Sequence, residues 1–486
     1  MPNRDDDPAL KAAGGAPRFT HTIWTSSPYQ TAQLFRSVSY KVGEHPTLFH
    51  HRDGFYAWTG SHYAEISETD LRARLYGFLD GCVTTVTDRD GDTATVPFCP
   101  NKSKVANVME SLAALSNLSS NLEAPTWIAE SPLDPGEVFV CRNGLLHLGA
   151  RILHPHSPQF FTHNAVDFDY APDVSAPPRW LEFLDQLWGD DTESIDTLQE
   201  CFGLMLTGET RYQKAFLLVG PKRSGKGTIA RVLVGLVGKL NCVSPTLASL
   251  GTNFGLAPLI HKRVALISDA RLGAKADQHA IAESILRITG EDDVEIDRKY
   301  RDAWNGRLAV RFLVISNELP RLADTSGALA SRFIIIRLVK SFYGREDQTL
   351  TDTLLSERPG IFNWSLDGWK RLKSRGFFIQ PESAAAAVQE LEDLASPIAA
   401  FIRDCCEVGP ACTVAVDRLY EAWQRWCEAG PRPSGHQANL RPRPRRRSAG
   451  TPHPTAARRR WPPISDLSGN STEGCLTRSD TRVSGH

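Results

Sequence analysis

Between Ala215 and about residue 340 the chain alternates short apolar runs with helical stretches. The runs are Ala215–Val219, Arg263–Ser268, Ala309–Ser316 and Phe333–Leu338. Continuous apolar runs of this length, separated by crossover helices, predict a parallel sheet buried on both faces. Upstream the pattern is mixed. Phe55-Tyr56-Ala57-Trp58 reads as a strand in a hairpin, and Asp70–Leu79 and Val105–Leu118 read as helices. Val138–Leu148 reads as two strands around an Asn143-Gly144 turn. Pro172–Pro178 is a linker, followed by helices over Trp180–Leu187 and Ile195–Leu206. Residues 384–430 read as helical, with Leu419, Trp423 and Trp426 on one core-facing side. Beyond Ala429 the periodicity stops.

These patterns predict a disordered start (1–20), an α+β domain (21–175), an α/β domain (180–345), a helical region (384–430) and a disordered tail (431–486). The 41% hydrophobic and 23% charged content is that of an ordinary soluble globular protein. No apolar run approaches the ~18 residues of a membrane span, so no membrane partner is expected. The opening MPNRDDDPALKAAGG lacks the apolar core of a signal peptide. The 10 cysteines form no CxxC pair and read as reduced thiols of a cytoplasmic protein. His154 and His156 have no second ligand pair nearby and read as loop residues rather than metal ligands. Residues 431–486 hold 11 Arg, no Lys and 3 acids, a balance of +8, which leaves −9 for the rest of a chain whose total is −1. A nucleic-acid binder with so acidic a body must concentrate its cations locally.

The strongest chemical signal follows the first apolar run. Gly220-Pro221-Lys222-Arg223-Ser224-Gly225-Lys226-Gly227-Thr228 reads as a phosphate-binding loop between that strand and a helix over Ile229–Val237. Loop N–H groups and the positive helix end converge on one spot, where a polyphosphate is stabilised. Lys226 reaches the β- and γ-phosphates as a point charge. These features call for ATP with Mg2+. The eighth position of the motif is Gly227 rather than a hydroxyl residue, and Thr228 stands one place late. Thr228 reaches the metal after a small shift, or a water substitutes. The same GKGT ending occurs in adenylate-kinase-like loops, so the loop alone does not separate a motor from a small-molecule kinase.

Two further strands end in polar residues. Val264-Ala265-Leu266-Ile267-Ser268 leads to Asp269, an acid at the strand tip, where ligands bind in doubly wound sheets. Asp269 would hold magnesium. No second acid stands beside it, only Ser268 and Ala270. Phe312-Leu313-Val314-Ile315-Ser316 leads to Asn317, whose amide can sense a γ-phosphate. Arg332 precedes the last strand. At a subunit edge it could act on the next subunit's nucleotide, or it is a surface arginine paired with an acid.

The order GPKRSGKGT, ALISDA, ITGEDDVEIDRKY, FLVISNELPRLADTSGALASRF resembles the helicase domain of phage and plasmid primase–helicases. These are superfamily 3 helicases, a branch of the AAA+ ATPases. The resemblance covers about 180–340. It continues loosely upstream through NGLLHL and LHPHSP, and downstream through SPIAAFIRDCC and YEAWQRWCE, which look like a winged-helix-like region. It implies an AAA+-like P-loop fold, a homo-hexameric ring on single-stranded and forked DNA, and a primase or initiator partner. It also implies that Ile288–Tyr300 forms a channel hairpin, with Arg298, Lys299 and Tyr300 gripping the strand. Two cations beside a ring suit sequence-tolerant binding, although Asp292, Asp293, Glu295 and Asp297 make the segment locally acidic.

Two departures stand out. Residues 1–150 hold no convincing acidic cluster for a polymerase-type primase site, so no primer synthesis is expected. The stretch after YEAWQRWCE loses the pattern that relatives continue. The tail therefore reads as a frameshifted segment, with a disordered basic arm that binds nucleic acid as the alternative. The sequence favours an ATP-dependent helicase acting in replication of a mobile element. An ATP-binding initiator with weak hydrolysis is the second reading, and a small-molecule kinase the third.

Overall fold

The computed structural model describes residues 21–429 except 24, 25, 53, 274, 275, 300, 325, 326, 410 and 411, together with the short strand Leu476–Thr477. The expectations for the first 20 residues, for Tyr300 and for most of the tail lie outside the described residues. No described helix is long and apolar enough to cross a membrane.

The centre of the fold is a five-stranded parallel sheet. Its strands are β1 (Ala215–Val219), β2 (Cys242–Val243), β3 (Val264–Ile267), β4 (Arg311–Ser316) and β5 (Phe333–Arg337). The spatial order is β2-β3-β4-β1-β5. The four apolar runs are thus strands of one sheet, and β2 is the strand the sequence pattern missed. At two residues it is too short to produce a periodic signal.

Side chains alternate between the two faces with period two. Phe216, Leu218, Leu313, Ile315, Ile334 and Ile336 enter one core, whereas Leu217, Val219, Phe312, Val314 and Ile335 enter the other. The first core is covered by helices α1 (Pro178–Trp188), α2 (Thr192–Leu206) and α3 (Lys226–Val237), and by two helices after the sheet, α6 (Leu350–Ser356) and α7 (Arg358–Arg375). The second is covered by α4 (Gln278–Thr289), the short α5 (Ala328–Arg332) and α8 (Ala385–Ala395).

Helix α2 is buried along almost its whole length because α7 lies against it. Gly203 and Gly368 allow the approach. A Cβ on Gly203 would lie 2.3 Å from the Ser365 carbonyl oxygen, and one on Gly368 would lie 2.4 Å from the Gln199 backbone. Beside this contact Glu200 is buried and accepts from Arg371 Nε at 2.8 Å and from Arg375.

The preceding region is α+β. Leu48–His51, Gly54–Trp58 and Tyr63–Ile66 form an antiparallel sheet, and helices Pro28–Ser39, Glu68–Asp80 and Lys102–Leu115 pack nearby. The last of these starts three residues before the expected Val105, because Asn101 caps it by accepting from Lys104 N. Val138–Cys141 and Gly144–His147 pair around residues 142–143. Phe139, Cys141 and Leu146 join the same core as Phe216 and Phe362.

His163 of this region meets His261, which lies just before β3, with ring centroids 5.2 Å apart. Burial, then the neighbouring His261, pushes His163 down to about 3. Burial, then Arg52 and His51, pushes His261 down to about 4. Both folded values lie below the ~6.5 of a free imidazole. The unfolded chain therefore binds more protons between those values, and stability present above pH ~6.5 is lost as pH falls toward 4. Thermal melts should show the midpoint dropping across that window, with the drop reduced in His163→Gln. A flat profile would contradict the neutral pair.

Helices Pro397–Cys405 and Val416–Ala429 follow, and Cys406–Glu407 pairs with Leu476–Thr477. Trp423 and Trp426 stack at 5.5 Å and contact Phe401, but with Leu419 they are only half-buried, not core as their spacing suggests.

Candidate nucleotide and nucleic-acid site

Because the sheet is parallel and in register, the C-terminal ends of β1, β3 and β4 lie at one edge. Val219 pairs with Ser316, and Ile267 with Val314. Gly220, Asp269 and Asn317 therefore follow strand ends on the same side, where open α/β sheets place their ligand crevice.

The Gly220–Thr228 loop is held in a compact turn. Arg223 and Gly225 have φ of 59° and 91°, and α3 begins at Lys226. A side chain on Gly220 would strike the Leu338 carbonyl oxygen at 2.3 Å, so only glycine fits where β5 exits beside the loop. The loop's helix is thus three residues longer than the apolar run starting at Ile229. Its first turn carries the polar Lys226-Gly227-Thr228 that an apolar pattern ignores.

Lys226 is buried. Its Nζ donates to the Gly220 and Pro221 carbonyls, each at 2.7 Å, to Ser224 Oγ at 3.0 Å, and lies 3.3 Å from Asn317 Oδ1. Burial lowers its pKa. Among the described residues no carboxylate pairs with it. A buried ammonium satisfied only by neutral oxygens is a cation in place for an anion. The residues therefore fit a phosphate group, and the structure brings Lys226 and Asn317 together.

The two metal-ligand candidates are each held by an arginine. Asp269 is exposed, and Arg271 chelates its carboxylate, with Nη2 at 2.8 Å and the Arg271 backbone N at 3.1 Å from it. These bonds lower its pKa. Thr228 Oγ1 accepts from Arg231 Nη2 at 3.2 Å. Both oxygens that would serve a cation thus already accept from guanidinium groups. Arg271 and Arg231 are the site neighbours that the sequence reading missed. Arg231 follows Thr228 by three, a helical spacing that would have flagged it. Ala270 is buried in the core, so the place beside Asp269 faces inward. Ser268 is the exposed neighbour.

Arg332 lies elsewhere. It ends α5, one residue before Phe333, which pairs with Ala215 at the N-terminal end of β1. Its guanidinium bonds Gln213 Oε1 rather than the acid expected of a surface arginine. Within one chain it is at the opposite end of the sheet from the loop.

The segment after α4 does form a hairpin, but over Val294–Arg298 and Arg301–Gly306 rather than from Ile288, which belongs to α4. Val294, Ile296 and Trp304 anchor it in the core; Arg298 ends the first strand, half-buried, and Lys299 follows it. Lys299 is exposed, with Nζ 5.7 Å from the Phe254 ring, and Arg298 Nε donates to the Asp302 carbonyl at 2.9 Å. Arg52 of the preceding region stacks over Trp304 at 5.8 Å, tying the hairpin base to that region.

Two family models match the chain. Residues 40–189 match a model described as D5 N terminal like, and residues 218–332 match a family of unknown function, DUF5906. The second match spans the phosphate loop, Asp269, the hairpin and Asn317, and ends at Arg332. Among solved structures, the A form apo structure of the NrS-1 C-terminal region is 16% identical. It covers 78% of this chain and 78% of that one, with a TM-score of 0.47. The apo structure of the NrS-1 C terminal region (305-718) is 12% identical over 76% of each chain, with a TM-score of 0.48. The first region is thus similar to domains of the D5 N-terminal type, and the second is a mixed α/β domain built on a parallel five-stranded sheet.

Proposed function

We propose that the chain is an ATP-dependent DNA helicase that translocates on single-stranded DNA in the replication of a phage or another mobile element. The observation that carries this reading is the meeting of Lys226 with Asn317 at the edge of the sheet where the neighbouring strand β3 leads to Asp269. The strand order, with the loop strand between the asparagine strand and the last strand, suits an AAA+ motor. ATP with Mg2+ is the cofactor we assign. The loop N–H groups and Lys226 hold the phosphates, and Asn317 orients the terminal one. Asp269 and Thr228 would supply oxygen ligands to the metal. Arg332, at the far end of the sheet, suits a role in trans, which calls for a ring of identical subunits. In such a ring Arg298, Lys299 and Tyr300 would line the DNA path. Strand displacement on a forked duplex tests this reading. ATP-dependent unwinding supports it, and none under conditions where ATP is hydrolysed contradicts it.

Arg271 on Asp269 favours a second reading, an ATP-binding initiator with weak turnover. The two separate at Gly227. A Cβ there would meet only Arg231 Nη1, at 3.4 Å. Gly227→Ser therefore fits and offers a hydroxyl at the motif's usual place. Titration of ATP with and without Mg2+ should show about two- to tenfold tighter Mg-dependent binding, with turnover raised alongside in a motor. Unchanged Mg dependence would remove Gly227 as the limiting feature.

A further inference from the structure

The phosphate loop accounts for the phosphates of a nucleotide but not for its base. The chain leaving β5 runs directly beside that loop. Leu338 N donates to the Val219 carbonyl at 2.8 Å, and Phe342 N to the Arg223 carbonyl at 2.8 Å. Ser341 Oγ donates to the Lys222 carbonyl at 2.8 Å. Glu346 lies 3.4 Å from Arg223, and Lys340 Nζ reaches the Gln186 carbonyl at the end of α1 at 3.0 Å. Residues 338–346 are therefore fastened to the loop on one side and to α1 on the other. On the α1 side, Phe183 and Leu187 come so close to Gly225 that a Cβ there would lie 3.2 and 3.1 Å from them.

Within this strap, Phe342 packs against the core and Tyr343 does not. Arg345 N donates to the Phe342 carbonyl at 2.9 Å, closing a tight turn in which Gly344 has φ of 77°. A positive φ at the third position suits glycine and fixes Tyr343 at the apex. Tyr343 is 79% exposed, a large ring held out from a rigid turn. The turn thus holds the ring in solvent beside the loop, where a ligand can reach it.

We propose that Tyr343 is the base-contacting residue of this nucleotide site, stacking its ring on the purine of a nucleoside triphosphate whose phosphates occupy the 220–228 loop. This rests on the nucleotide reading of the loop. A base stacked on an aromatic side chain gains enough that losing the ring weakens binding about fivefold to a hundredfold.

The test compares binding of ATP and of inorganic tripolyphosphate, which has no base, by calorimetry on the full chain. Tyr343→Ala should weaken ATP about tenfold and leave tripolyphosphate unchanged, while Tyr343→Phe should bind both as the unaltered protein does. Unchanged ATP affinity in Tyr343→Ala would overturn the assignment. So would equal weakening of both ligands, which would mean that the turn merely supports the loop, or loss in Tyr343→Phe as large as in Tyr343→Ala. If the unaltered protein binds neither ligand, the nucleotide reading itself fails and takes the assignment with it. If it binds tripolyphosphate and ATP equally well, the phosphate loop stands and the base assignment falls.

Discussion

Replacing Lys226 with alanine is expected to lower ATP turnover at least about a hundredfold while leaving the fold intact. Lys226 is buried with only neutral oxygen partners, two of them loop carbonyls, and no carboxylate among the described residues depends on it. Its removal therefore strands no opposite charge, and melting should change little. The loss falls on ligand binding and on charge stabilisation at the transferring phosphate, where a preorganised cation in a low-dielectric site contributes ~3 kcal/mol or more. Steady-state phosphate release measures it. Near-normal turnover in Lys226→Ala would remove the loop from the account.

The largest expected effect on stability is at the α2–α7 contact. Gly203→Ala would place a methyl group 2.3 Å from the Ser365 carbonyl oxygen and 2.6 Å from Trp369 N, both backbone atoms. Neither can rotate away, so the helices must separate, at a cost of about 3 kcal/mol. Separation would also loosen Glu200 from Arg371 and Arg375, exposing a buried carboxylate partnership to water. Chemical denaturation should show the loss directly. A variant as stable as the unaltered chain would mean that the two helices are less closely opposed than described.

How far the sequence anticipates the structure differs between local and distant features. Ala215–Val219 is five apolar residues in a row, and a strand buried on both faces needs nothing else, so its limits agree to the residue. The polar first turn of α3 escapes an apolar pattern, but the loop motif supplies it. Asn317 and Asp269 fall at the expected strand tips because parallel register fixes where strands end. The Gly203–Gly368 contact has no local signature, since its two halves are 165 positions apart and each glycine sits in an unremarkable helix. The guanidinium partner of Asp269 is equally hidden, because a charge near an acid is common and only geometry shows which pairs close, whereas Arg231 stands at helical spacing from Thr228. Nor does any pattern in Ser341-Phe342-Tyr343-Gly344 reveal that it runs beside the phosphate loop.

The Arg271 contact gives the site a specific chemical character. The carboxylate of Asp269 accepts from Arg271, an exposed ion pair. If the chain is the motor proposed above, a metal at Asp269 competes with Arg271 for that carboxylate, and DNA binding would be the event that shifts the balance.

The most direct test is the ATPase rate of the chain ending at residue 429, with and without single-stranded DNA, alongside Lys226→Ala. The account predicts ATP hydrolysis that rises severalfold with single-stranded DNA and is lost in Lys226→Ala. A rate indifferent to DNA, or one that survives Lys226→Ala, would contradict it.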